Sequence, residues 1–138
     1  MYNEFASNAE ENIAVGKKFL EENSEKPGVM ETKSGLQYQV LKRGDGKTPG
    51  AKDKVTVHYE GTLLNGEIFD SSYKRGESIT FGVNQVIQGW QEALQLMTEG
   101  SVWMLYIPSE LAYGERGTFG AIGPNETLIF KVELLAVN

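Results

Sequence analysis

From Gly35 to the end of the chain, apolar residues fall at every second position in run after run, and helical spacing occurs only once. In KVTVHYEGTL, Val55, Val57 and Tyr59 share one face and Thr56, His58 and Glu60 the other, as side chains do across a strand. LQYQVLKR places Leu36, Tyr38 and Val40 together, and TLIFKVELLAV places Leu128, Phe130, Val132 and Leu134 together. SITFG reads as a short strand, and SVWMLYIP, apolar on both faces, as a central strand ending at Pro108. Asn65-Gly66, between TLL and EIF, signals a hairpin. The exception is VIQGWQEALQLM, where Val86, Trp90, Ala93/Leu94 and Met97 predict a helix of about three turns closed by Gly100. A sheet with one apolar face needs a cover, and this is the only helix available. The expected fold over residues 35–138 is therefore α+β, a bent antiparallel sheet wrapped around one short helix.

Residues 1–34 differ. Phe5, Ala9, Ile13, Gly16 and Leu20 recur at spacings of three and four, one stripe of an amphipathic helix that stops at NSEKPG, where Pro27 and Gly28 break it. A lone helix with so narrow a stripe needs a partner. Two readings stand: a solvated extension, or a fragment of a helical dimerisation module whose earlier part lies outside the chain.

With 138 residues, 40% hydrophobic and 23% charged, the chain can build a core for one compact domain and a small appendage. Its net charge of −6 argues against nucleic acid and anionic membrane surfaces, both of which require a basic face. It has no cysteine, so disulfides and thiolate metal sites are excluded. No apolar run approaches the ~20 residues of a membrane span.

His58 is the only histidine and falls on the strand face opposite Tyr59, so neither a metal site nor a Ser–His–Asp triad is expected. GDG and GERGTFG match no phosphate-binding pattern and read as turns. The long loop SELAYGERGTFGAIGPNE exceeds ordinary connections, which suggests function. Asp70 stands out because it follows Phe69, and Asp is a poor strand residue. It could be a catalytic acid or base, a metal ligand, or a polar fixture in an apolar pocket. Tyr59, Phe69, Trp90, Tyr113 and Phe130 lie on elements that must converge around one helix, and Tyr113, on a loop, is expected to line an opening.

VHYEGTLLNGEIFDSS, VIQGW, ELAYGERG and TLIFKVELL resemble, in order and spacing, the signature segments of the FKBP-type peptidyl-prolyl cis–trans isomerases, over residues 35 to 137. The N-terminal helix followed by SGLQYQVL is similar to the bacterial Mip/FkpA/FklB-like branch, in which a helical module dimerises. The resemblance implies a catalytic set of Tyr59, Asp70, Trp90, Tyr113 and Phe130. It implies substrate-binding residues Phe69, Ile79, Phe81, Val86, Ile87 and Ile122, with Arg75 as the partner of Asp70. Ile79 stands where many relatives have an aromatic, GP replaces their proline pair, and Thr118 and Ala121 replace larger residues of some members.

The implied partners are proline-containing peptides and unfolded or partly folded proteins, with tacrolimus- or rapamycin-type macrolides as further ligands. A longer form is expected to be a homodimer, with a monomer as the alternative for this chain. The location is expected to be the periplasm or cell envelope, with the cytoplasm as the alternative. No cofactor or metal is required. On this reading Trp90 is the floor beneath a proline ring, and Phe69, Val86, Phe130 and Tyr59 are walls. Ile87 offers its backbone N–H and Tyr113 its hydroxyl to substrate carbonyls. Asp70 is then the fixture, paired with Arg75, which keeps it ionised, and bonded to the Tyr59 hydroxyl. A non-catalytic module that only captures proline segments is the alternative.

Overall fold

The computed structural model describes residues 4–118 and 120–138, with side chains from residue 9 onward. Strands β1 (Val29–Glu31), β2 (Gln37–Lys42), β3 (Lys54–Leu63), β4 (Ile68–Ser71), β5 (Ile79–Gly82), β6 (Val102–Ile107) and β7 (Leu128–Val137) form one sheet. Every pairing is antiparallel, in the order β1-β2-β6-β7-β3-β4, with β5 also paired to β3. β3 holds the sheet together: β7 lies along its whole length on one side, and β5 and β4 share the other. The hairpin at Asn65-Gly66 forms as expected, with Gly66 at φ 91° and the Glu67 N–H donating to Asn65 Oδ1 at 2.8 Å.

The core lies between the inner face of the sheet and helix α3 (Gln88–Leu94). Val55, Val57, Leu105, Ile107, Leu128, Val132 and Leu134 face Trp90, Ala93, Leu94 and Met97. This is the α+β arrangement expected from the alternation. Gly89 lets α3 approach β6, since a Cβ there would sit 2.6 Å from Ile107 Cγ2.

Several elements differ from expectation. α3 has seven residues and not three turns. Val83–Gln85 form a 3-10 turn, and Val86 and Ile87 are extended. Two side chains explain this: Gln85 Oε1 accepts from the Gly82 N–H at 2.8 Å, and Gln91 Nε2 donates to the Val86 carbonyl at 2.7 Å. They satisfy backbone groups that a longer helix would pair. Gly100 does not close α3; at φ 95° it turns the chain into β6, and its N–H donates to Leu134 O at 2.7 Å.

A one-turn helix α2 (Ser72–Arg75) was not expected. Ser71 accepts from the Lys74 N–H at 3.2 Å at one end, and Gly76 takes the left-handed conformation at the other. β1 was not expected either, so the sheet reaches back to Val29.

Helix α1 (Glu4–Ser24) ends before Pro27, and its inward face keeps Ala9, Gly16 and Leu20 of the predicted stripe but not Ile13. Ile13 is 54% exposed, and the Phe5 side chain lies outside the described residues. The inward face carries Asn12, Gly16, Phe19, Leu20 and Asn23. Near its end α1 covers the outer face of β2 and β6, with Phe19 5.9 Å from Tyr106 between ring centroids. Asn23 Nδ2 donates to Gln37 Oε1, and Gln37 Nε2 donates to Leu20 O and Glu31 Oε1, all at 2.8 Å. This network is why Gln37 is 1% exposed on a strand face that should be wet.

Candidate functional site

The strand-to-hairpin geometry and the start of α3 open a cavity of about 460 Å³ at one end of the core. It is lined by Tyr59, Phe69, Asp70, Ile79, Phe81, Gln85, Val86, Ile87, Trp90, Tyr113 and Phe130. Trp90 is 5% exposed, and its ring sits edge-on to Phe130 at 5.2 Å and to Tyr59 at 5.3 Å between centroids. Phe69 meets Phe130 edge-on at 5.5 Å, and Phe81 lies 5.7 Å from Trp90. Edge-to-face pairs of this kind contribute about 0.5–1.5 kcal/mol each beyond burial. The floor is therefore an interlocked aromatic surface. The Trp90 Nε1–H is buried with no acceptor among the described residues. Gly61 lies directly behind the wall: a Cβ there would be 2.5 Å from Phe69 Cζ and 2.7 Å from Phe130 Cε1.

Asp70 stands at the lip, not at the bottom. The hairpin register shifts between Gly61 and Thr62, next to the Gly61–Asp70 pair. The Tyr59 hydroxyl donates to Asp70 Oδ2 at 2.5 Å, and Arg75 Nη1 donates to Asp70 Oδ1. Arg75 Nη2 also donates to the Tyr59 hydroxyl at 3.2 Å. The capped turn α2 brings Arg75 back to this position, outside the cavity. Arg75 and Asp70 are 45% and 41% exposed, so their attraction is largely screened by water.

Burial raises the Tyr59 hydroxyl above the ordinary tyrosine value, the bond to Asp70 adds to the rise, and Arg75 opposes it. Burial also raises Tyr113, and the negative charge of Asp70 adds to it. Both hydroxyls are therefore donors at neutral pH.

Tyr113 is 39% exposed and forms the loop-side wall. Ile79 forms the outer wall and is as open as an aliphatic rim residue. Val86 and Ile87 are extended just before α3, and among the described residues nothing accepts from the Ile87 N–H.

The structure brings together ten of the twelve residues expected at the site, and two stand apart. Arg75 lies behind Asp70. Ile122 is outside the cavity wall and in the core at 4% exposure, where its N–H and C=O both bond Thr118. Gln85 joins the wall and was not anticipated; its place follows from the 3-10 turn, which no residue pattern announced. His58 lies on the outer face, with Nδ1 2.8 Å from Ser72 Oγ and its ring stacked on Tyr73 at 4.8 Å. Among the described residues no group of three or more His, Cys, Asp or Glu is placed to hold a metal.

A bent sheet closed on one short helix, with an aromatic cavity at its end and a Tyr–Asp–Arg cluster at the lip, defines the FKBP-like architecture. A family model described as FKBP-type peptidyl-prolyl cis-trans isomerase matches residues 45–135, and a second, described as the domain amino terminal to FKBP-type peptidyl-prolyl isomerase, matches residues 1–40. The chain belongs to the FKBP-type peptidyl-prolyl cis-trans isomerase family.

It is 54% identical over 134 residues to the outer membrane protein MIP of Legionella longbeachae, covering 97% of this chain and 58% of that one. It is 56% identical over 124 residues to the FKBP-type 22 kDa peptidyl-prolyl cis-trans isomerase of Escherichia coli, covering 90% and 60%. The crystal structure of FkpA from Escherichia coli superposes with a TM-score of 0.94 at 44% identity, covering 98% of this chain and 63% of that one. The chain thus spans about three-fifths of the length of these curated relatives.

Proposed function

We propose that this chain catalyses cis–trans rotation about Xaa–Pro bonds in peptides and in unfolded or partly folded proteins. The observation that carries the reading is the cavity itself: an aromatic floor in an open cavity of about 460 Å³, roomy enough for a proline ring and a neighbouring side chain, with one polar cluster at its lip. The reaction breaks no bond. Its barrier, near ~20 kcal/mol, is lost amide resonance. In the twisted state the carbonyl dipole is smaller, so water favours the planar amide, and an apolar wall removes that advantage. A ten-thousandfold acceleration needs about 5.5 kcal/mol. Burial of a proline ring and one neighbouring side chain, at roughly 1.5–3 kcal/mol each, supplies it where the contacts are made best in the twisted state.

In this assignment Trp90 lies beneath the proline ring and Tyr59, Phe69, Val86 and Phe130 form the walls. Phe81 and Ile79 extend them outward. Ile87 gives its N–H to one substrate carbonyl and the Tyr113 hydroxyl donates to the other. Asp70 is a fixed negative charge near the rotating carbonyl, held by Tyr59 and Arg75. Both of its oxygens are already engaged, which favours electrostatic support over proton transfer.

Residues 1–34 form the end of a helical dimerisation module, and 35–138 the isomerase domain. The match of residues 1–40 to the domain amino terminal to such isomerases supports this division. A longer form is a homodimer, and macrolides of the tacrolimus and rapamycin type compete for the same cavity. Similarity to an outer membrane protein of Legionella supports a place in the cell envelope. No described helix is long and apolar enough to cross a membrane.

The test is exchange between cis and trans forms of a short Xaa–Pro peptide, followed by NMR or by a protease that cuts only the trans form. Catalytic amounts of protein are expected to remove the slow phase. A slow phase unchanged at excess protein leaves only proline-segment capture.

A further inference from the structure

We infer that helix α1 is a positioning element for the loop that carries Tyr113, through Asn12, Gly16 and Asn125. The inference rests on the isomerase reading above.

The loop between β6 and β7 is tied to itself at several points, and one crossing lies next to Tyr113. The Asn125 N–H donates to Gly114 O at 2.8 Å, and the Gly114 N–H donates to Ser109 O at 2.9 Å. Gly114 follows Tyr113 directly, so this crossing sets where the tyrosine wall stands. Asn125 makes it from φ 58°, in the left-handed region that asparagine tolerates better than most side-chain-bearing residues.

Helix α1 braces this turn from outside the loop. Asn12 Nδ2 donates to Pro124 O at 2.9 Å, one residue before Asn125. Asn125 Nδ2 reaches Ala9 O at 3.5 Å, the outer limit of a hydrogen bond. Gly16 lies against Thr127 so closely that a Cβ would overlap Thr127 Oγ1 and sit 3.3 Å from Thr127 Cβ. Glycine inside a helix is unfavourable relative to alanine, so the close approach explains the residue where propensity does not.

The contact is narrow. Beside it α1 and the loop part around an open cleft of about 480 Å³, lined in part by Ile13, Lys17 and Glu110. A few bonds therefore carry the connection. The far end of α1 is anchored separately by Asn23 and Gln37. The helix is thus fixed at one end and leans on the active-site loop with its middle. Undocking that middle leaves Asn125 unsupported and lets the Tyr113 wall relax. The consequence falls on substrate affinity, since the aromatic floor is untouched.

The test is Gly16→Ala, which raises helix propensity and so does not weaken α1 itself. Amide hydrogen exchange at Asn125 and Gly114 is expected to quicken by about tenfold or more. KM for a Xaa–Pro peptide is expected to rise about three- to tenfold, the worth of one hydrogen bond, with kcat within about twofold. Adding Thr127→Ala removes the overlapped oxygen and is expected to restore both. Asn12→Ala, which adds no volume, is expected to act in the same direction but less. Unchanged exchange overturns the inference. So does faster exchange with unchanged KM, or failure of Thr127→Ala to rescue a folded protein. If the wild-type chain turns over no peptide, the isomerase reading fails; the exchange arm, with peptide affinity read by tryptophan fluorescence in place of KM, then decides this one by itself.

Discussion

The Tyr59 hydroxyl stands 2.5 Å from Asp70 Oδ2 and donates to it, while Arg75 donates to the other carboxylate oxygen. Both oxygens are engaged, so on the proposed reading Asp70 contributes charge and not proton transfer. Asp70→Leu is expected to lower kcat/KM by one to two decades, about 1.4–2.7 kcal/mol, without abolishing activity, because the apolar walls remain. The double change Asp70→Leu with Arg75→Leu is expected to cost less than the sum of the singles. Additive losses in steady-state kinetics would separate the two roles.

The pH profile tests the same point. Tyr59 and Tyr113 are both raised above the ordinary tyrosine value, chiefly by burial, so both keep their protons through neutrality. Activity is expected to be flat between roughly pH 6 and 8. A bell-shaped profile that disappears in Asp70→Asn would restore acid–base chemistry.

Trp90 belongs to the core as much as to the cavity. Trp90→Ala is expected to destabilise by about 3–5 kcal/mol as well as inactivate. Trp90→Leu is expected to retain more of both. Denaturant melts and peptide turnover on the two variants check this; native melting with full turnover in both would place the site elsewhere.

Gly61 leaves no room for a side chain behind Phe69 and Phe130. Gly61→Ala is expected to cost about 1–3 kcal/mol through overpacking and to push the Phe69 ring into the cavity. Activity should fall further than stability alone explains, and Phe69→Leu in the same chain should recover part of the stability. Melting and turnover of the single and double variants measure both.

Tyr73 links pH to stability. Its hydroxyl is pushed up to about 12, by burial first and then by its 3.0 Å bond to Glu133 and the charges of Glu133 and Glu60. An unfolded tyrosine titrates near ~10. Between these values the native state holds more protons than the unfolded state, so stability is full below the lower value and falls as pH rises through the upper one. The ring is more than a third exposed, so solvent screening keeps the effect small. Tyr73→Phe is expected to flatten the loss in melts between pH 10 and 12. Some slope should persist, because Tyr59, Tyr106 and Tyr113 are raised as well.

What the sequence determined by itself was local. Period-two alternation assigned Val55, Val57 and Tyr59 to one face, Asn65-Gly66 placed the hairpin, and the single helix-spaced run identified what covers the sheet. Because only one helix was available, the convergence of Tyr59, Trp90 and Phe130 followed from the pattern, and the four ordered motifs named the rest of the wall. The capped turn that carries Arg75 is also written locally, in Ser71 and Gly76. Tertiary structure decided what lies opposite each face. Gln85 and Gln91 shortened α3 by bonding to backbone groups, which no periodicity reveals. Asn23 buried Gln37 on an outer strand face, and Gly16 against Thr127 turned α1 so that Ile13 faces water. Ile122 entered the core instead of the cavity, with its N–H and C=O both bonded to Thr118. Periodicity states which side chains point together; only the packed chain supplies the partner that makes a face dry, bonded or open.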